Sequence, residues 1–367
     1  MSIYLSNIEN MKKLFSAVIA FMATTSAFAG FGWQAEFTNV KDDNLKGNVI
    51  AVLYSKYEYK ENFGEPVPGR LERMYATFYD ENGRSFLNRD LYSDGSYYTE
   101  AMSTLFDYSA DASGITVHRP QITCRTDGKD INNYLPMLMA LDNSYEQRMV
   151  SNSKCSNYLT IDYKYDNNQV LTTYTMLSNG KIAAKLVAKP TANGAYEYTI
   201  YKASGDASEK GVRTYKNGKL VKVDKPDKLL QHSIDMESSP MGSYTYSADG
   251  KLQQYNQITE LTSEGLGREN TPGRKFVYNQ QGDEIQWIDG HWGYGKDKGK
   301  MLWGEPRVIY TDYKYDDNGN WISRVDTKSN RKYIEVREII YCSSKEELQQ
   351  KASALRQSAG ELIKSKQ

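Results

Sequence analysis

Histidine and cysteine are scarce, at three each in 367 residues, and that scarcity removes much chemistry at once. His118, His232 and His291 lie far apart, with no Cys-x-x-Cys or His-Glu-x-x-His spacing, so no metal site is expected. No Gly-x-Ser-x-Gly marks a nucleophile either. Leu, Ile, Val and Phe total only 71 residues, a level found in disordered chains. Charge does not reinforce that reading, because Lys plus Arg and Asp plus Glu balance at 46 each. The same balance leaves no basic excess for nucleic acid. Apolar runs long enough to span a bilayer are also missing.

What the chain has instead is tyrosine, 30 of them. Tyrosine buries a large ring while keeping its hydroxyl hydrogen-bonded, which suits sheets with a partly wet face. The clearest stretch is Tyr313-Lys-Tyr-Asp-Asp-Asn-Gly-Asn-Trp321. Alternation puts Tyr313 and Tyr315 on one face of a strand, Asp316 opens a turn by accepting local N–H groups, and Gly319 takes the left-handed position. This geometry pairs Tyr315 with Trp321. Related stretches are Tyr79-Asp-Glu-Asn-Gly83, Tyr246-Ser-Ala-Asp-Gly250 and Tyr278-Asn-Gln-Gln-Gly282, with irregular spacing that excludes a solenoid of fixed period. Turns are expected at Asn82-Gly83, Asp249-Gly250, Gln281-Gly282 and Asn318-Gly319, and Asn179-Gly180 and Asn217-Gly218 are two-residue hairpin signals.

The expected fold is all-β, an antiparallel meander of Tyr-rich hairpins with a short helical insertion near 132–150 and a C-terminal helix. In that helix Leu348, Ala352, Leu355, Ala359 and Leu362 fall on one stripe. Met11-Lys-Lys, the apolar run Leu14 to Phe28 and the small-x-small site Ala27-Phe-Ala29 read as a secretory leader, with Met11 as the true start and a mature chain from Gly30. The run is too short for a membrane anchor. The remaining division is 30–160, an N-terminal β region; 161–342, a hairpin region; and 343–367, the helix. In an oxidising compartment Cys124 and Cys155 can bridge, which leaves Cys342 as a buried thiol at a strand end. A transmembrane β-barrel is disfavoured by the many Lys, Asp and Glu in the strands.

The Tyr-x-Tyr-Asp-x-x-Gly-x stretches, clearest at Tyr313 to Trp321 and Tyr244 to Leu252, resemble the YD or RHS-type repeats of secreted and surface bacterial proteins. The likeness covers about a quarter of the chain. It implies an exported bacterial hairpin protein, periplasmic or secreted, of a kind that includes carbohydrate-binding members, and it supports no catalytic residue.

Asp316-Asp-Asn-Gly-Asn320 has its Gly too early for a calcium loop, and Gly293 to Lys300 lacks phosphate-loop spacing. The best site candidate is the connection between the last two hairpins. It holds Trp287, Trp292 and Trp303 among Gly290, Gly293, Gly295, Gly299 and Gly304. Trp292, Tyr294 and Trp303 are expected to stack on a sugar ring, with His291 and Asp289 as polar contacts. The competing reading is that these rings fill the core between hairpins. The leading function is non-enzymatic binding of a glycan or an envelope protein, without cofactor. A polysaccharide hydrolase using two of the many carboxylates, and a structural or assembly protein of the envelope, stay open.

Overall fold

The computed structural model describes residues 39–41, 43–93, 98–127, 134–151, 155–168, 170–216, 219–224, 242–248, 251–257, 273–293, 295–297, 300–327 and 331–365. The leader, Asn217-Gly218 and Asp249-Gly250 lie outside the described residues. The first strands are β1 (Val49–Asn62), β2 (Glu65–Tyr79), β3 (Ser85–Ser93), β4 (Tyr98–Leu105), β5 (Asp107–Asp111) and β6 (Gly114–Asp127). A helical connection follows, with a 3₁₀ turn at Leu135–Met137 and helix α1 (Ser144–Ser151). Then come β7 (Cys155–Tyr165), β8 (Leu171–Ser178), β9 (Lys181–Pro190), β10 (Ala195–Lys202), β11 (Ala207–Lys216), β12 (Lys219–Asp224), β13 (Gly242–Tyr246) and β14 (Leu252–Gln257). The last strands are β15 (Gly273–Tyr278), β16 (Glu284–Trp292), β17 (Met301–Trp303), β18 (Arg307–Val308), β19 (Tyr310–Tyr315), β20 (Trp321–Asp326) and β21 (Tyr333–Tyr341), and helix α2 (Lys345–Lys364) ends the chain.

All described ladders are antiparallel, and each strand mostly pairs with its neighbours in sequence. The ladder returns to its start, because β21 pairs with β1 from Val49↔Tyr341 to Glu58↔Tyr333. No break in pairing marks residue 160, where β7 joins β6 on one side and β8 on the other. Closure matters physically, since the first and last strands of the ladder cover each other's edges.

Alternation sorts the side chains into two faces. Across β7 to β10, Ile161, Tyr163, Tyr174, Leu186, Tyr198 and Ile200 are buried together on the inner face, with Tyr163 and Tyr174 edge to face at 5.5 Å. The outer positions between them are mostly polar, with Thr160, Asp162, Lys164, Thr173, Thr175, Lys185, Lys189, Glu197 and Thr199, and with Leu177, Val187 and Tyr201 interspersed. Gly211 stands opposite Tyr198, and a Cβ there would lie 2.1 Å from the tyrosine hydroxyl, so the ring's reach depends on that glycine.

On β1 to β6 the outer face is apolar and is covered by the two helices. Leu53, Ala76, Phe78, Leu87, Leu105 and Ile122 pack with Tyr145, Met149, Leu348, Ala352, Leu355, Ala359 and Ile363. Ile363 takes the place expected of Leu362, which is half-buried, because the docked stripe follows the true helical twist at its last turn. Ser344 caps α2 by accepting from the Glu347 amide at 3.2 Å, while the Glu347 carboxylate accepts from the Ser343 amide at 2.7 Å. Cys124 is disulfide-bonded, and Cys155 stands opposite it in the β6–β7 register. Cys342 is a free, buried thiol just past β21.

The recurrent Tyr and Asp have a joint explanation. In the turn after β19, Asp316 Oδ1 accepts from the amides of Asn318 at 3.0 Å and Asn320 at 2.9 Å, and Gly319 takes φ 76°. Asp316 Oδ2 is then left to accept from the Tyr341 hydroxyl two strands on. Asp166 repeats the device, with Oδ1 on the amides of Asn168 and Val170 and Oδ2 on the Tyr196 hydroxyl at 2.6 Å. Tyr315 likewise donates to Asp283 at 3.0 Å, just past the preceding turn. One carboxylate thus closes its own turn and ties that turn to a later strand. Asp80 closes its turn in the same way but spends Oδ2 on Arg84 and Arg356.

Candidate functional site

The connection that sequence places between the last two hairpins is itself a hairpin. β16 pairs with β17 through Gly290↔Trp303, His291↔Leu302 and Trp292↔Met301. The Gly293 amide donates to Lys300 O at 2.9 Å and closes its end. Glycine and tryptophan therefore serve strand pairing as well as a loop, because a ladder hydrogen bond is indifferent to side-chain size.

Strand alternation separates the expected ligand residues. Asp289 and His291 share one face of β16, while Trp303, opposite Gly290, lies on the other. Asp289 accepts from Arg274 Nε at 2.6 Å, and the same guanidinium sits 3.7 Å from the Trp287 ring centroid. Glu284 accepts from the Trp287 indole N–H. His291 is exposed. Tyr294 lies outside the described residues, as does the Trp292 side chain.

Trp303 is half-buried, and the ammonium of Lys275 lies 4.1 Å from its ring centroid. Lys275 reaches it because β15 pairs with β16 through Lys275↔Ile288, two residues before Gly290 on the same face. Continuing outward, Gln254 stands opposite Lys275 and Val308 opposite Gln286. Val308 is exposed. The result is an outward platform made of one indole, one cation, short aliphatic groups and two amides, with no carboxylate at these register positions. Sequence reasoning missed Lys275, since the β15–β16 pairing that brings it to Trp303 leaves no mark in local spacing.

A second constellation occupies the inner face where β19, β20, β21 and β1 meet. Arg324 donates to Glu335 at 2.7 Å, while Lys56 pairs with Asp326 at 2.9 Å. The Arg324 guanidinium lies 3.5 Å from the Tyr310 centroid and 4.1 Å from that of Trp321, whose ring also meets Arg337 at 3.8 Å. Burial works against charging Glu335, but Arg324, the Tyr54 hydroxyl and Lys56 outweigh it and hold the carboxyl below its ordinary value. Burial also pushes Tyr54 and Tyr310 up, so both phenols stay protonated. Each carboxylate here already faces a cation. The cluster is a satisfied structural network, in which none of these acids or bases is left over for chemistry.

His118 and Asp162 form a pair that sequence distance hides, with 2.6 Å between Nδ1 and Oδ1 across β6 and β7. Both are well exposed. Among the described residues no group of three or more His, Cys, Asp or Glu could hold a metal, and no helix is long and apolar enough to cross a membrane.

No protein-family model matches the chain, and no curated protein matches it. Among solved structures it is similar to a porin-like protein from Bacteroides uniformis at 11% identity. That match covers 80% of this chain and 99% of the other, with a TM-score of 0.26.

Proposed function

We propose that this is an exported bacterial β-protein that binds an extracellular or envelope glycan without transforming it, through the outward platform around Trp303. The observation that carries the reading is the half-buried indole on an outward strand face, flanked by a lysine and two amides and free of carboxylates in register. An indole stacks on the apolar face of a hexose while neighbouring polar groups meet its hydroxyls. Glycoside hydrolysis needs two carboxylates facing one bond, whereas Asp289 is held by Arg274 and Glu284 by Trp287. The hydrolase reading is therefore the weaker one. Export rests on the leader-like residues from Met11 to Ala29.

A glycan array probed with the purified protein tests the reading. Trp303→Ala is expected to abolish the array signal while leaving the circular dichroism spectrum and Tm within a degree or two of the parent. A Tm lowered by many degrees with the signal retained would make Trp303 a core residue and overturn the proposal.

A further inference from the structure

The ammonium of Lys275 lies over the centre of the same indole face that a sugar would use. Any ring stacking there must first move the lysine aside, and the indole then loses its cation–π partner. Lys275 is half-buried and forms no ion pair among the described residues, so it has no carboxylate waiting when it leaves the ring. Arg274 is committed to Asp289 on the other strand face, and Lys300 is paired with Asp297 at 3.1 Å. Glu305, two residues past Trp303, is exposed and lies beyond the end of β17.

From this we infer that the platform selects acidic saccharides, uronate-type sugars above all, and that Lys275 is the residue that selects them. The inference rests on the reading of Trp303 as a glycan platform. A sugar carboxylate offers the displaced ammonium an ion pair and compensates for the lost cation–π contact. A neutral sugar displaces the same cation and returns only hydroxyl hydrogen bonds. Both ligands break the same cation–π contact, so discrimination comes from the ion pair that only the acidic one regains. A surface ion pair near the upper end of its usual range gives about a fivefold preference at low ionic strength. Screening shrinks the ion-pair part as salt rises.

Isothermal titration of the purified protein with β-1,4-linked oligoglucuronate and with β-1,4-linked oligoglucose of equal length tests this, because the two differ at the carboxylate alone. The acidic oligomer is expected to bind about fivefold more tightly. Lys275→Met keeps the aliphatic stem and removes the charge. It spares both oligomers the displacement and takes the ion pair from the acidic one, so it is expected to tighten the neutral oligomer, to leave the acidic one little changed and to abolish the preference, and Lys275→Arg is expected to restore it. Equal affinities in the parent, or a preference that Lys275→Met leaves intact, would overturn the selectivity and leave the platform standing. Failure of both oligomers to bind parent protein whose melting curve is intact would overturn the platform on these ligands, and the selectivity with it.

Discussion

Glu146→Ala should be among the most damaging single changes in the described structure. Glu146 and Arg89 are both 0% exposed. Their bidentate pair has Arg89 Nε at 2.9 Å from Oε1 and Nη2 at 2.8 Å from Oε2, and Ser103 adds a hydroxyl at 2.7 Å to Oε1. The same guanidinium donates to the carbonyls of Met137, Leu138, Ala140 and Asp142 at 2.6 to 3.3 Å, so it pins the segment from Met137 to Asp142, just before α1, against β3. Removing the carboxylate strands a buried cation, which costs roughly 3 to 5 kcal/mol, against a total stability of about 5 to 15 kcal/mol for an ordinary domain. Urea unfolding followed by tyrosine fluorescence is the assay, with a lowered midpoint at unchanged slope as the expected result. Double replacement by Met and Leu discriminates further. A simple buried pair often tolerates such a swap, but here four carbonyls would lose their donor, so the double variant should remain destabilised. A loss below about 1 kcal/mol for Glu146→Ala, or full recovery in the double variant, would refute the view that Arg89 anchors that segment.

Phe63 tips the β1–β2 hairpin fully exposed, with φ 51°, a left-handed conformation costly for a bulky residue. Asn179 holds nearly the same φ, 49°, in the two-residue turn before Gly180, with a residue suited to it. Phe63→Asn should therefore raise stability by about 1 kcal/mol, and an unchanged or lower Tm would show that the ring contributes to the fold. Glu347 is held at about 2 by hydrogen bonds from Lys351 and from the Ser343 hydroxyl and amide. Because its folded value lies below the unfolded one near 4.3, its help to the start of α2 is complete above that value and is lost as pH falls toward 2. Carbon-detected NMR titration should give the low midpoint, and one in the ordinary glutamate range would count against the cap.

Alternation of Tyr with polar residues, Asp at turn starts and Gly three residues later are local properties. They gave the antiparallel hairpins directly, because a two-residue period and a left-handed glycine leave the backbone little else to do. The Tyr315↔Trp321 pairing was legible for the same reason, since turn geometry fixes register over a few residues. The α2 stripe was legible from Leu348 to Ala359, with a 3.6-residue period that no strand shares.

Other features depend on which distant strands become neighbours. The β21–β1 closure joins segments nearly 300 residues apart, and nothing near Val49 or Tyr341 specifies it. The second use of each turn carboxylate, Tyr341 on Asp316 and Tyr196 on Asp166, exists only after strands have stacked in order. The Arg89–Glu146 pair requires α1 to fold back over β3. At the candidate site, composition drew attention to tryptophan and glycine, but the face each side chain occupies was set by the β15–β16–β17 register. That register placed Lys275 on the Trp303 ring and put Asp289 and His291 on the opposite face. A one-residue slip would exchange those faces, so a residue's availability to a ligand is decided by tertiary pairing and cannot be read from the residue itself.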